Sequence, residues 1–183
     1  MEKQHGPWKI TSSELKYKNP WIQVREDKVT APDGTPGLFG VIKIKEGVSV
    51  LAIDDQGCVY LTKEFHYALG RESIEVASGG IETGETPLEA AKRELKEELG
   101  IDAQEWTELG TTDPLTTFVE KNTFLYLARK LKFGTPKVDS NEIITPVKVK
   151  LEKAVEMIMN NEITHGASCV TILKAKHYLD SRQ

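Results

Sequence analysis

The sequence lacks the long apolar runs, the abundant cysteine and the excess of basic charge that mark several broad classes of protein. Its longest apolar runs are only long enough for β-strands, and its first ten residues, MEKQHGPWKI, contain no secretory apolar core. The net charge is −4 at pH 7, so no general basic field would attract nucleic acid or an anionic membrane. We therefore expect a cytoplasmic protein with no nucleic-acid or membrane partner.

The sequence has only two cysteines, Cys58 and Cys169. Each is next to apolar residues, and neither has a second cysteine or a histidine at the spacing of a metal site. We predict two core thiols in a reducing compartment, which argues against a structural zinc ion or a disulfide.

What is present is an ordinary globular composition in a chain of 183 residues, 39% hydrophobic and 28% charged, which is enough for a buried core. Residues 20–30 and 38–45 are predicted strands, joined by a turn at Pro32-Asp33-Gly34. Further strands are predicted at 48–53, 58–62, 73–77 (ended by Gly79-Gly80), 105–112, 122–130 and 144–149. Helices are predicted at 87–99 and twice near the C-terminus. This order predicts a mixed sheet packed between helices, an α/β sandwich.

The helix at residues 87–99 has the clearest local signals. Thr86 is a good N-cap, Pro87 suits the first helical position, and Glu89 completes a capping box with Thr86. Gly100 is placed to end the helix. On a helical wheel Leu88, Ala91, Leu95 and Leu99 form the stripe that should face the core.

Three glutamates, Glu94, Glu97 and Glu98, fall together on the face beside that stripe. Arg93 falls on the back, where Glu89 is its expected i,i+4 partner. Clustered carboxylates are what a hard divalent cation requires, although a solvated acidic face is the commoner origin of such a pattern. The preceding loop, residues 79–85, has three glycines, which would let the backbone approach a ligand closely.

The segment GGIETGETPLEAAKRELKEELGI resembles the Nudix box: Gly, five residues, Glu, seven residues, then Arg-Glu-aliphatic-x-Glu-Glu-x-Gly-aliphatic. Every defined position is filled in this sequence, by Gly79, Glu85, Arg93, Glu94, Leu95, Glu97, Glu98, Gly100 and Ile101.

The resemblance implies an α/β/α sandwich that hydrolyses a nucleoside diphosphate linked to another moiety. It implies that Glu94, Glu97 and Glu98 hold Mg²⁺ or Mn²⁺, with the carbonyl of Ser78 as a further candidate ligand. It also implies that Arg93 and Glu85 form an ion pair fixing the loop, which includes Gly79 and Gly80, against the helix.

A weaker similarity over most of the chain is to the ADP-ribose pyrophosphatase branch, carried by WIQVREDKVTAPDGT and HYALGRESIEVASGGIE. It implies an N-terminal antiparallel β-region at residues 1–45 that builds a homodimer, followed by a Nudix hydrolase domain at 46–183. ADP-ribose, cleaved to AMP and ribose 5-phosphate, is the substrate it favours. Another sugar nucleotide, a dinucleotide, or a sensing domain without turnover remain alternatives.

The same similarity suggests residues outside the box. Glu142 is a candidate general base or extra metal ligand, or else a solvated loop carboxylate. With Glu97 and Arg93 it completes the candidate catalytic residues. Trp21 and Phe39 are at positions where relatives stack adenine, although ordinary strand packing would also explain them.

The sequence departs from its relatives where substrate contacts are expected. His66 replaces an arginine that would contact ADP-ribose, and Arg71 is the nearest cation that could substitute for it. Both are candidate substrate-binding residues, with an exposed surface arginine as the simpler interpretation of Arg71.

Overall fold

The computed structural model describes residues 2–137 and 143–182, which form two compact units. The first unit is Met1–Lys45 with Asp113–Asn122, and the second is Glu46–Thr112 with Thr123–Gln183. None of the helices in the described ranges is long and apolar enough to cross a membrane. Both cysteine thiols are free, Cys58 buried and Cys169 half-buried.

The first unit is a five-stranded sheet in the order β1-β2-β3-β4-β10. Its strands are β1 (Lys3–His5), β2 (Trp8–Lys18), β3 (Ile22–Thr30), β4 (Pro36–Ile44) and β10 (Val119–Glu120). Strands β1 to β4 pair antiparallel, whereas β10 pairs parallel with β4. The turn predicted at Pro32-Asp33-Gly34 is confirmed, with Gly34 in the left-handed region at φ +87°.

The second unit has a mixed seven-stranded sheet in the order β12-β6-β5-β11-β9, with β7 beside β6 and β8 beside β5. Its strands are β5 (Gly47–Ile53), β6 (Cys58–His66), β7 (Arg71–Glu75), β8 (Ala77–Gly80), β9 (Ile101–Thr112), β11 (Thr123–Phe133) and β12 (Thr145–Lys150). The helices are α1 (Pro87–Leu99), α2 (Leu151–Met159) and α3 (Gly166–Asp180). Among the described strands of this sheet, β5 and β11 pair parallel and the other pairs are antiparallel.

Two hydrophobic clusters cover opposite faces of this sheet, because successive side chains of a strand point to opposite sides. Val50 and Ala52 of the central strand β5 pack in the cluster that contains Leu95 of α1. Leu51 and Ile53 pack in the other cluster, with the apolar residues of α2 and α3. The predicted α/β/α sandwich is therefore confirmed.

One prediction about the strands was wrong. The single strand predicted at 73–77 is two strands, β7 and β8, separated at Val76; Gly79 and Gly80 are the last two residues of β8. The break has a physical cause, since β7 pairs with β6 whereas β8 pairs with β5. Strands β1 and β2 were not predicted individually, although they lie in the N-terminal β-region that the resemblance implies.

Candidate active site

Helix α1 begins and ends at the residues that its local sequence predicts. The hydroxyl of Thr86 accepts a hydrogen bond from the Glu89 N–H, and the Glu89 carboxylate accepts from the Thr86 N–H at 2.8 Å and from its hydroxyl at 2.7 Å. Gly100 ends the helix with φ +65°, a conformation that favours glycine. The capping box and the C-terminal glycine are thus confirmed.

Arg93 joins this helix to the glycine loop. Its Nε and Nη2 donate to the two carboxylate oxygens of Glu85 at 2.7 and 3.0 Å, and Nη2 also donates to the carbonyl of Gly80 at 2.8 Å. This is the ion pair that the resemblance implies. Hydrogen bonding to Glu85 is the main cause that raises the pKa of the Arg93 guanidinium above its usual value, despite partial burial. Arg93 is therefore a permanent cation that fixes the loop against α1.

The expected pairing of Arg93 with Glu89 was wrong. The Glu89 carboxylate is engaged by Thr86 in the capping box, one turn away from the guanidinium. A helical wheel shows only which residues of the helix lie near one another. Arg93 also donates to Glu85 and to the Gly80 carbonyl, which come before α1 in the chain.

The three clustered glutamates of α1, Glu94, Glu97 and Glu98, lie where the helix meets β8. Oε1 of Glu94 and Oε2 of Glu97 both accept from Nη1 of Arg93, at 2.8 and 3.0 Å. Oε1 of Glu98 accepts from the Ser78 N–H at 3.4 Å. The Glu94 side chain is 13% exposed and that of Glu97 is 44% exposed, so the face runs from a half-buried edge to solvent.

Gly79 is needed for a steric reason. A Cβ atom added there would lie 1.9 Å from Oε1 and 2.0 Å from Cδ of Glu94. Any other residue would therefore occupy the space of that carboxylate. The φ of Gly79 is not in the left-handed region, so close approach, and not backbone freedom, explains this glycine.

The donor set of this face fits a hard divalent cation, because carboxylate and backbone oxygens are what Mg²⁺ binds. The side chains do not converge as they stand: within residues 2–137 and 143–182, no group of three or more His, Cys, Asp or Glu is arranged to hold a metal ion. Glu94 and Glu97 instead share one nitrogen of Arg93. Assignment of Glu94, Glu97, Glu98 and Ser78 as ligands therefore stays a prediction.

The two candidate substrate-binding residues of the second unit lie opposite each other on β6 and β7. Nε2 of His66 is 3.1 Å from Oε1 of Glu75, and Nη2 of Arg71 donates to the Thr164 hydroxyl at 2.9 Å. The other oxygen of Glu75 is 2.8 Å from Nδ1 of His165. Glu75 and His165 could not be identified from the sequence, because the cluster joins segments that are far apart in the chain.

The remaining candidates lie elsewhere. Trp21, in the first unit, is 70% exposed. Phe39, on β4 of that unit, is half-buried and packs edge-to-face on Trp8 with ring centroids 5.0 Å apart, which is the strand packing considered as its alternative role. Glu142 lies outside the described residues.

Comparison with known proteins adds to this geometry. The model of the NUDIX domain matches residues 43–165, and that of the nucleoside diphosphate sugar hydrolase N-terminal domain matches residues 8–42. The chain is similar to the ADP-ribose pyrophosphatase of Bacillus subtilis (strain 168), with 27% identity over 179 residues, 96% of this chain and 97% of that one. It is also similar to the ADP-ribose pyrophosphatase of Mycobacterium tuberculosis, with 27% identity over 165 residues, 88% of this chain and 80% of that one.

Solved structures agree on the fold. A crystal structure of an ADP compounds hydrolase superposes with a TM-score of 0.86 at 18% identity and covers 98% of both chains. The chain therefore belongs to the Nudix family, a class of pyrophosphohydrolases whose signature occupies Gly79–Ile101 here. Nudix hydrolases generally use divalent metal cations.

Proposed function

We propose that this protein hydrolyses the diphosphate bond of a nucleoside diphosphate sugar, with ADP-ribose as the substrate, yielding AMP and ribose 5-phosphate. The observation that carries the proposal is the carboxylate face of α1. Glu94 lies against Gly79, and Glu98 accepts from the Ser78 N–H. Arg93 binds Glu97 and ties the same helix to the glycine loop. The nucleoside diphosphate sugar hydrolase N-terminal model and the two ADP-ribose pyrophosphatases support the choice of substrate.

The metal in this proposal is Mg²⁺, with Mn²⁺ as a possible substitute, held by Glu94, Glu97 and Glu98 with the Ser78 carbonyl. A bound cation would neutralise the diphosphate and lower the pKa of a water molecule that attacks phosphorus. Arg93 and Glu85 keep the loop and the helix in register, so the carboxylates stay beside β8. Glu97 and Glu142 are the candidate catalytic carboxylates.

Substrate recognition is assigned to residues outside the box. His66 and Arg71 are proposed contacts in the second unit, and Trp21 and Phe39 are proposed to stack on adenine in the first. The high exposure of Trp21 favours this role for it, whereas the contact of Phe39 with Trp8 favours packing.

The proposal extends to assembly and compartment. We propose a homodimer built through residues 1–45, supported by the exposed apolar side chains Leu15, Tyr17 and Leu38 of that segment. A monomeric mass in solution scattering would contradict it. A reducing, cytoplasmic location and the absence of a nucleic-acid partner are part of the same proposal, supported by two free thiols and a net charge of −4.

The experiment is a substrate panel with Mg²⁺, in which alkaline phosphatase releases phosphate only from the products. ADP-ribose has no terminal phosphate, so each cleavage yields two phosphates and uncleaved substrate yields none. We expect ADP-ribose to be turned over, EDTA to abolish turnover, and Mn²⁺ to restore it. The EDTA and Mn²⁺ reactions are followed by chromatography of AMP, because alkaline phosphatase itself needs bound metal ions. Other sugar nucleotides and dinucleotides in the panel test the alternative substrates. Binding of ADP-ribose in calorimetry without any phosphate release would contradict hydrolysis and favour a sensing domain.

A further inference from the structure

A single carboxylate holds two imidazoles at the junction of β6, β7 and α3. Oε1 of Glu75 is 3.1 Å from Nε2 of His66, and Oε2 is 2.8 Å from Nδ1 of His165. The Glu75 side chain is 12% exposed, whereas both histidine side chains are 36% exposed. The Glu75 carboxylate is therefore mostly buried, whereas each imidazole ring is partly exposed to solvent.

Ser168 holds this arrangement in place from α3. Its hydroxyl oxygen accepts a hydrogen bond from the Val76 N–H at 3.0 Å and lies 2.8 Å from Nδ1 of His165. Ser168 is fully buried. The start of α3 is therefore fixed to the chain between β7 and β8, and the His165 ring is held from two sides.

The charge of Glu75 determines which ring nitrogens carry protons. Burial alone would raise the pKa of Glu75, but its hydrogen bonds to His165 and Ser73 and the nearby His66 outweigh this, and the pKa lies below its ordinary value. An ionised carboxylate only accepts, so both facing nitrogens must be N–H. In neutral rings this leaves Nδ1 of His66 and Nε2 of His165 as acceptors, directed away from Glu75.

Along the chain, the cluster is close to the residues of β8 that contact the carboxylate face of α1. Glu75 precedes Ser78 by three residues, which span at most about 11 Å even when fully extended. The Ser78 N–H in turn donates to Glu98. A nucleoside diphosphate sugar whose diphosphate lies at that face could therefore reach the two rings.

We propose that Glu75 is a positioning residue that presents the acceptor nitrogens of His66 and His165 to hydroxyl groups of the sugar in the substrate. This inference rests on the function proposed above. An arginine at position 66 could only donate, and would suit phosphate or carbonyl oxygens. The two rings instead accept from hydroxyl groups, so they select for sugar.

The first test uses the free protein and needs no activity. The sequence has four histidines, and His5 and His177 are exposed, so they serve as internal references in long-range ¹H–¹⁵N spectra. We expect His66 to carry its proton on Nε2 and His165 on Nδ1 when the rings are neutral. Glu75→Gln offers one acceptor and one donor in the same shape, so one of the two rings must change tautomer. Unchanged tautomers in that variant, or the opposite tautomers in the wild type, would overturn the assignment.

The second test separates substrate binding from catalysis. In Glu75→Gln and in His66→Ala we expect the KM for ADP-ribose to rise about tenfold, the effect of one lost hydrogen bond, with kcat within about twofold of wild type. The matched control is Glu72→Gln on the same strand, whose carboxylate pairs with Lys63 at 2.6 Å and is exposed. Inorganic pyrophosphate has no hydroxyl group of a sugar, so its Ki as a competitive inhibitor should be the same in Glu75→Gln as in wild type.

The outcomes distinguish this inference from the proposed function. If the wild type cleaves no nucleoside diphosphate sugar, the proposed function is wrong, and the sugar-binding role fails with it even where the tautomers are as expected. If the wild type cleaves ADP-ribose but Glu75→Gln has the KM of Glu72→Gln, only the inference is wrong. A parallel rise in the Ki of pyrophosphate would also overturn it, because the cluster would then act on phosphate.

Discussion

Gly79→Ala is the substitution whose effect follows most directly from the geometry of the site. The new methyl group would lie 1.9 Å from Oε1 of Glu94, where real Cβ contacts are essentially never under 3.0 Å. The clashing atoms are the end of a side chain, so the backbone can stay while the carboxylate moves by at least about 1 Å. The variant should therefore fold with a displaced Glu94.

The size of the effect can be estimated from the contacts that this movement breaks. Glu94 would lose its 2.8 Å hydrogen bond from Arg93, which for a charged pair contributes about 1.5–3 kcal/mol to the free energy of unfolding. The alanine would offset about 0.4–1 kcal/mol of this loss, because it reduces the conformational entropy of the unfolded chain. The net loss of about 0.5–2.5 kcal/mol lowers the Tm by a few degrees. A displacement of about 1 Å in a catalytic group costs on the order of a hundredfold, so kcat/KM should fall by about that factor.

The assay is phosphate release from ADP-ribose with saturating Mg²⁺, run beside a thermal melt. Gly134→Ala is the matched control, because its added Cβ would make only an ordinary contact, 3.5 Å from the Gly100 carbonyl oxygen. We expect near wild-type activity in the control. A Gly79→Ala protein that melts within a few degrees of wild type and retains most of its kcat/KM would refute the placement of Glu94 in the site.

Three further predictions concern the helix and the acid stability of the fold. Arg93→Lys should lower kcat/KM about ten- to a hundredfold, because an ammonium cannot reproduce the forked pairing; activity close to wild type would show that this pairing is dispensable. Leu95→Ala should lower the free energy of unfolding by about 2–5 kcal/mol in chemical denaturation, and Leu88→Ala by clearly less, since Leu95 is fully buried and Leu88 only partly. Asp54 has a folded-state pKa of about 2, because hydrogen bonds from groups including Lys148 outweigh the effect of burial. Its contribution to stability is full above the ordinary value of 3.8 and is lost as the pH falls towards 2; acid-unfolding curves of wild type and Asp54→Asn that differ equally at every pH would contradict this.

Helix α1 could be predicted to the residue because its limits depend on local chemistry. Thr86, Pro87 and Gly100 act within one turn of the ends of the helix, so a single sequence is sufficient to place them. The seven residues of β5 were nearly as clear, since a central strand buried on both faces is an apolar run.

Strand β2 could not be predicted because its burial does not alternate. Nearly all of Trp8–Lys18 is exposed, and its pairing with β3 shifts register twice. Apolar and polar residues alternate at residues 8–11 and again at residues 15–18, but the two stretches are out of phase, so no single hydrophobic period runs along the strand.

The hydrogen bond from Arg93 to the Gly80 carbonyl and the cluster around Glu75 were missed for a tertiary reason, whereas the pairing of Arg93 with Glu85 was implied by the resemblance. Both missed features depend on segments that meet only in the fold: Gly80 belongs to β8, and His165 precedes α3. Spacing within one element says which side chains share a face, and gives no information about which loop covers that face.

The measurement that tests the central claim most directly compares Glu98→Gln with wild type in the hydrolysis of ADP-ribose with Mg²⁺. Glu156→Gln on α2 is the control, because it makes the same chemical change at an exposed helical glutamate that pairs with Lys153. If the α1 carboxylates hold the metal, Glu98→Gln melts near the wild-type temperature and loses most of its kcat, whereas Glu156→Gln retains it. A folded Glu98→Gln protein with near-normal kcat would contradict the metal site.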